Sequence, residues 1–250
     1  HPNIMSKTRL NPEFRAKMTE LIRGFIEHCE ISRTLIGQIE RFVRHDGRKY
    51  GLPTFTVYGP PEPGVETSFV NLLGVNSSGE ATAAETTLQL IERLVLQPNI
   101  AAGRVLRILP VTNPVALELG QPVEDEPLLS SLEMAVEDFR NLPSDGFVEI
   151  RLADVTNISL AVSGTSAVIQ AARETEEAVR RLQSETNRDG ILLRSVRMRH
   201  EGRWHLTLEI PREWPSSLAT HWASQVLVVF FRAHLQNLRL TGHTASRWLN

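Results

Sequence analysis

The chain has 250 residues, 41% of them hydrophobic and 22% charged, with a formal net charge of -2. This balance suits a globular protein with a sizeable core and offers no global attraction to nucleic acid or an anionic membrane. The single cysteine, Cys29, excludes an internal disulfide and a thiolate metal cluster, so a reducing compartment, the cytoplasm, is the expected location. The apolar run at residues 226–231 is far shorter than the about 20 residues that a membrane-spanning helix needs, and no membrane association is expected.

Residues 1–10 read as a disordered or expression-derived leader, with Met5 as the natural start, and residues 11–250 as one domain without repeats or linkers. Asn11, Pro12 and Glu13 open a helix by capping, first-turn geometry and charge, and Leu21, Ile22 and Phe25 carry it to about His28. Asp46-Gly47 between extended segments predicts a hairpin whose second strand occupies residues 53–58. After the proline-rich loop at residues 59–64, the apolar run from Phe69 to Val75 predicts a strand buried on both faces. Helical spacing resumes after Glu80 and ends near Gln97-Pro98, and a second buried strand follows at residues 105–109.

The strand, helix, strand alternation implies parallel strands joined by a right-handed crossover. Beyond it, the acidic run Glu124-Asp125-Glu126 reads as a solvated loop and residues 128–139 as a helix. A strand at residues 147–152 is followed by a short continuation at 158–162, then a helix at 166–182. Residues 191–199 and 203–210 read as a second hairpin around His200-Glu201-Gly202, with His205, Thr207 and Glu209 on the polar face of its outgoing strand. A helix from about Ala219 to Leu235 closes the series.

The stretch from Ser68 to Glu85 is the natural place for chemistry, because in α/β proteins ligands bind where a strand ends and a helix begins. Ser77 and Ser78 lack the Gly-x-Ser-x-Gly surroundings of a nucleophile and are expected to cap the following helix; Glu80 suits the first turn of that helix. Basic residues cluster on both predicted hairpins, Arg41, Arg44, Arg48 and Lys49 on the first and Arg194, Arg197, Arg199 and Arg203 on the second. Without interleaved aromatic groups they read as solvated charge, so no nucleic-acid partner is expected.

The order of elements and several short strings resemble the zinc carboxypeptidases and their relatives, the succinylglutamate desuccinylases and aspartoacylases, over roughly residues 36–235. The strings are the strand ending at Gly74 with Glu80 beyond it, Leu109-Pro110-Val111-Thr112-Asn113-Pro114, Arg151-Leu152-Ala153, and Thr207-Leu208-Glu209-Ile210-Pro211. The resemblance implies an α/β single domain, a mixed twisted sheet flanked by helices on both faces in a three-layer sandwich. It also implies that Glu80 stands at a zinc-ligand position and Glu209 at that of the general base, while Ser77 and Ala153 stand where the family has its zinc-binding histidines. The segment Asp125-Glu126-Pro127-Leu128-Leu129 lacks the Asn-Arg pair that binds substrate carboxylate in the desuccinylase branch.

Catalytic zinc takes three protein ligands and a water whose pKa it lowers to about 7, which one carboxylate and a hydroxyl cannot reproduce. The expectation is therefore a protein without a cofactor that retains the hydrolase fold but acts as a binding, scaffold or regulatory protein toward a small molecule, peptide or protein. The alternative is an active metal-dependent amide hydrolase with an unconventional zinc site. His205 shares a strand face with Glu209 but reads as an ordinary polar-face histidine.

Overall fold

The computed structural model describes residues 12–186, 196–198 and 203–241. Among them, one eight-stranded sheet is flanked by six helices. In chain order these are α1 (Pro12–Ile31), β1 (Leu35–His45), β2 (Arg48–Tyr58), β3 (Ser68–Gly74), α2 (Thr82–Leu96), β4 (Arg104–Leu109), α3 (Pro114–Leu119), α4 (Glu126–Arg140), β5 (Gly146–Ala153), β6 (Ser159–Gly164), α5 (Ser166–Thr186), β7 (Val196–Met198), β8 (Trp204–Pro211) and α6 (Ser216–Thr241). The strand order is β1-β2-β4-β3-β5-β8-β6-β7.

The first hairpin forms as expected. Asp46 and Gly47 both take positive φ, 47° and 73°, as a tight turn between twisted strands demands. Its second strand begins at Arg48, earlier than the expected residue 53, because Tyr50, Gly51 and Leu52 continue the pairing up to the turn. The centre of the sheet is parallel: β4, β3, β5 and β8 run side by side in one direction, so their carboxyl ends meet along one edge.

Three expectations are corrected. Residues 159–164 do not continue β5; they form β6, which pairs antiparallel with β8 on the far side of that strand. The second hairpin does not form, since β7 pairs parallel with β6, and β6 separates it from β8. The physical reason is α5, whose crossover brings the chain back in the direction of β6 and forces a parallel neighbour. The turn at 199–202 and most of the predicted incoming strand lie outside the described residues. The segment after β4, where no helix is predicted, contains the short helix α3, capped by Asn113 Oδ1 accepting from the Ala116 amide at 2.9 Å.

Alternation along the strands divides the core. Val70, Leu72, Leu106, Ile108, Val148, Ile150, Leu206 and Leu208 face one way and pack with α1, α2, α5 and α6. On the other face Leu73, Leu109 and Phe147 pack with Leu128, Leu132, Ala135 and Phe139 of α4. That second cluster draws no member from β8 or β6, so α4 covers only half of the face. The polar rows Glu149-Arg151 and His205-Thr207-Glu209 lie in the half left open, as the alternation in residues 204–210 predicted.

Two basic side chains are buried together, Arg104 on β4 and His234 on α6. Arg104 is 1% exposed; its Nη1 makes one long bond, 3.4 Å, to the Ile100 carbonyl, and its guanidinium lies 5.5 Å from the Phe231 ring. Burial holds its pKa down to about 10, which corresponds to roughly 3 kcal/mol of disfavoured charge at neutral pH. The hydrogen bond and ring contact offset part of this. Arg104→Met should therefore stabilise the fold by about 1–3 kcal/mol, read as a higher denaturant midpoint at unchanged m-value. His234, 3% exposed between Trp204 and Phe230, has its pKa pushed well below 6.5 by burial and by Arg104. A base whose folded pKa is lowered contributes stability above the unfolded value of 6.5 and loses it as pH falls. Unfolding measured from pH 7 to 5 should show stability declining by up to about 1.4 kcal/mol per pH unit, and His234→Phe should flatten that slope.

Candidate functional site

The site is assembled from the turns that leave β3, β5 and β8. The chain after β3 is held by Asn76, which is 1% exposed. Its Oδ1 accepts from the amides of Thr112 and Asn113, both at 2.9 Å, and from the Thr112 hydroxyl at 3.1 Å, while its Nδ2 donates to the Asn113 carbonyl at 2.7 Å. The turn after β3 is thus locked to the turn after β4, which explains what the Thr112-Asn113-Pro114 string does here. Gly79 takes φ of +89°, and a Cβ there would lie 2.5 Å from the Gln121 amide nitrogen, so only glycine fits.

Ser77 is exposed on this turn. The expected capping by Ser77 and Ser78 is not seen: α2 begins at Thr82 with Ala81 at its cap position and no side-chain cap bond. Glu80 accordingly lies before the helix, not in its first turn, where Glu85 stands instead. Its carboxylate meets a guanidinium, with Glu80 Oε1 accepting from Nη1 of Arg212.

Arg212 immediately follows β8 and is the residue that joins the site. Its backbone amide donates to the Ala153 carbonyl at 3.1 Å, and its Nε reaches Asp154 Oδ1 at 3.3 Å. The pairing of Ala153 with Pro211 places the two strand ends side by side. One guanidinium therefore bridges two carboxylates and ties together the ends of β3, β5 and β8. Neither Arg212 nor Asp154 was singled out in the sequence, although each directly follows a residue that was, Pro211 and Ala153.

Glu209 is on β8, three residues before Arg212 or about 10 Å of extended chain. It too is paired. Arg151, its register partner on β5, donates to Glu209 Oε1 at 2.7 Å, and the Ser159 hydroxyl donates to Oε2 at 3.3 Å. Arg151 also approaches Glu149 at 3.6 Å, and Glu149 accepts from Arg140 at 3.0 Å, giving a row of alternating charges across the open sheet face. His205 is on the same strand face as Glu209 but about 13 Å along the strand, beside Phe147 at 5.2 Å between ring centres.

Several other charges have specific partners. The acidic run is not simply solvated: Asp125 caps α4 through the Leu128 amide at 3.2 Å and meets His45 Nδ1 at 2.9 Å. On the first hairpin Arg41 pairs with Asp138 at 2.5 Å and Arg48 with Glu118 at 3.5 Å, and Lys49 lies 3.8 Å over Phe42. Just before β8, Arg203 lies 4.8 Å from the Phe147 ring centre.

The donor set at the crevice does not fit zinc. Of the positions implied by the resemblance, Ser77 offers a hydroxyl, Ala153 a methyl group, and Glu80 a carboxylate already held by a guanidinium. Among the described residues no three of His, Cys, Asp and Glu are grouped so as to hold a metal ion. No helix among them is long and apolar enough to cross a membrane.

No protein-family model matches the sequence, and no curated protein matches it. Solved structures do match. A metallo-carboxypeptidase from Burkholderia cenocepacia superposes with a TM-score of 0.63 over 88% of this chain and 69% of that one, at 14% identity. A metallo-carboxypeptidase from Pseudomonas aeruginosa, solved in complex with (2-guanidinoethylmercapto)succinic acid, gives a TM-score of 0.54 over 90% and 70% of the two chains, at 13% identity. At such identities the likeness concerns architecture, and on that evidence the chain has the metallo-carboxypeptidase fold.

Proposed function

We propose that this chain is a carboxypeptidase-fold protein that binds without hydrolysing, its crevice serving a scaffold or regulatory role toward a small molecule, peptide or protein. The observation that carries the reading is the bridge Glu80-Arg212-Asp154. A guanidinium stands against the carboxylate that would have to ligate a metal. A divalent ion 4 Å from it is repelled by roughly 2 kcal/mol in bulk water and roughly 8 kcal/mol at an effective dielectric constant of 20. One carboxylate and a hydroxyl cannot offset that. Without a metal-bound water there is nothing for Glu209 to deprotonate, and its pairing with Arg151 and Ser159 gives it a structural use.

The test is metal analysis of protein purified from zinc-supplemented medium without chelator, together with assays on acyl-amino acids and blocked dipeptides. Zinc should stay below about a tenth of an equivalent, and any trace hydrolysis should be unchanged by Glu209→Gln. Stoichiometric zinc lost in Glu80→Ala, with turnover abolished by Glu209→Gln, would instead establish the active hydrolase.

A further inference from the structure

The half of the sheet face that α4 leaves open carries a groove of about 550 Å³, a size typical of small-molecule sites. It lies at the amino ends of β5 and β8, away from the crevice, and Arg140, Phe147, Glu149, Arg203, Trp204 and His205 are among its lining residues. Phe147 is the centre of the wall, with the Arg203 guanidinium 4.8 Å and the His205 ring 5.2 Å from its ring centre.

The charges here are unevenly satisfied. Glu149 is held by Arg140 and Arg151, and Glu137 lies 3.9 Å from Arg140 and accepts from the Asn141 amide at 3.2 Å. Arg203 has no carboxylate among the described residues. Its Nη1 donates to the Arg140 carbonyl, which leaves Nε and Nη2 shielded from water and, among the described residues, without an acceptor; Nε2 of His205 is likewise shielded and, among the described residues, without a partner. A buried donor or acceptor left without a partner is costly, so each such atom favours a ligand that would satisfy it. Nε and Nη2 form one edge of the guanidinium fork, the edge that grips a carboxylate through two parallel hydrogen bonds.

We propose that this groove binds a small organic acid, its carboxylate taken by the Nε–Nη2 edge of Arg203 and by His205 Nε2, and its apolar body laid against Phe147. Because Nε and Nη2 of Arg203 and Nε2 of His205 are all shielded from water, seating the carboxylate requires both side chains to turn these atoms toward it. Burial pushes the His205 pKa down, Glu149 pulls against this, and Arg203, Arg140 and Arg151 push it down further; a bound carboxylate would act in the same upward direction as Glu149. The proposal does not depend on the crevice: zinc content reports on one site and His205 on the other, so the two readings fail separately.

The probe is benzoate, with benzamide as the uncharged isostere, and the readout is the imidazole C–H resonances of His205, assigned by their loss in His205→Gln. Benzoate should shift them saturably at millimolar concentration, and benzamide should bind at least about tenfold more weakly. Arg203→Lys, which keeps the charge but loses the fork, should weaken benzoate binding at least about tenfold, and so should Arg203→Gln if it folds. His205 resonances unmoved by benzoate up to about 50 mM, equal binding of benzamide, or full affinity in the folded Arg203→Lys protein would overturn the proposal.

Discussion

A zinc site should appear when Ser77→His, Ala153→His and Arg212→Met are combined. The three changes supply two imidazoles, free Glu80 from its guanidinium and complete the three protein ligands that a catalytic-type zinc requires. The parent should bind zinc with Kd above about 1 mM and the triple variant below about 1 µM, a difference of roughly 4 kcal/mol. Competition against a chromophoric chelator measures it. Each histidine alone should give far less, and restoring Arg212 in the presence of both should cost at least about tenfold through charge repulsion. Ser77 is exposed on its turn and Ala153 half-buried at a strand end, so the larger side chains have space. A folded triple variant that takes up no zinc would show that Ser77 and Ala153 do not stand at ligand positions, and the proposed function would lose its basis.

Asn76→Ala should be the most destabilising single change at the crevice. Its side chain makes four hydrogen bonds to Thr112 and Asn113, which are themselves 8% and 6% exposed. Removing it leaves two backbone amides and a carbonyl short of partners and opens a small cavity, for a loss of about 3–4 kcal/mol. Asn76→Asp keeps the acceptor but sets a buried charge against the Asn113 carbonyl, and should recover at most part of that loss. Chemical denaturation checks both: the midpoint falls and the m-value stays constant. A loss under about 1 kcal/mol for Asn76→Ala would show that the β3 and β4 turns do not depend on this lock. In the triple zinc variant the same substitution should also weaken zinc binding, because Glu80 and residue 77 sit on the turn that Asn76 fixes.

Much of the architecture was legible because it depends on local periodicity. The buried run at Phe69 to Val75, the helical spacing after Glu80, the Asp46-Gly47 turn and the inside-outside alternation from Trp204 to Ile210 each declare an element without reference to a neighbour. The short helix α3 is not legible in the sequence because six residues are too few to show a period, and its cap, Asn113, follows a strand by only four residues. Strand pairing misled where two extended segments joined by a short polar link suggested a hairpin: the pairing of β7 with β6 is decided by the α5 crossover, not by the link.

The sequence by itself determined the class of fold, the polar face that carries Glu209, and the absence of imidazoles from Ser77 and Ala153, since these follow from composition, periodicity and residue identity. Only the tertiary structure decided what Glu80 and Glu209 do. Their partners Arg212 and Arg151 are 132 and 58 residues away in the chain; the parallel register of β5 and β8 sets Arg151 opposite Glu209, and the pairing of β5 with both β3 and β8 brings the ends that carry Glu80 and Arg212 together. Ion pairs are formed by strands that meet after folding, and nothing in the spacing of charges along a chain specifies which carboxylate a guanidinium will meet.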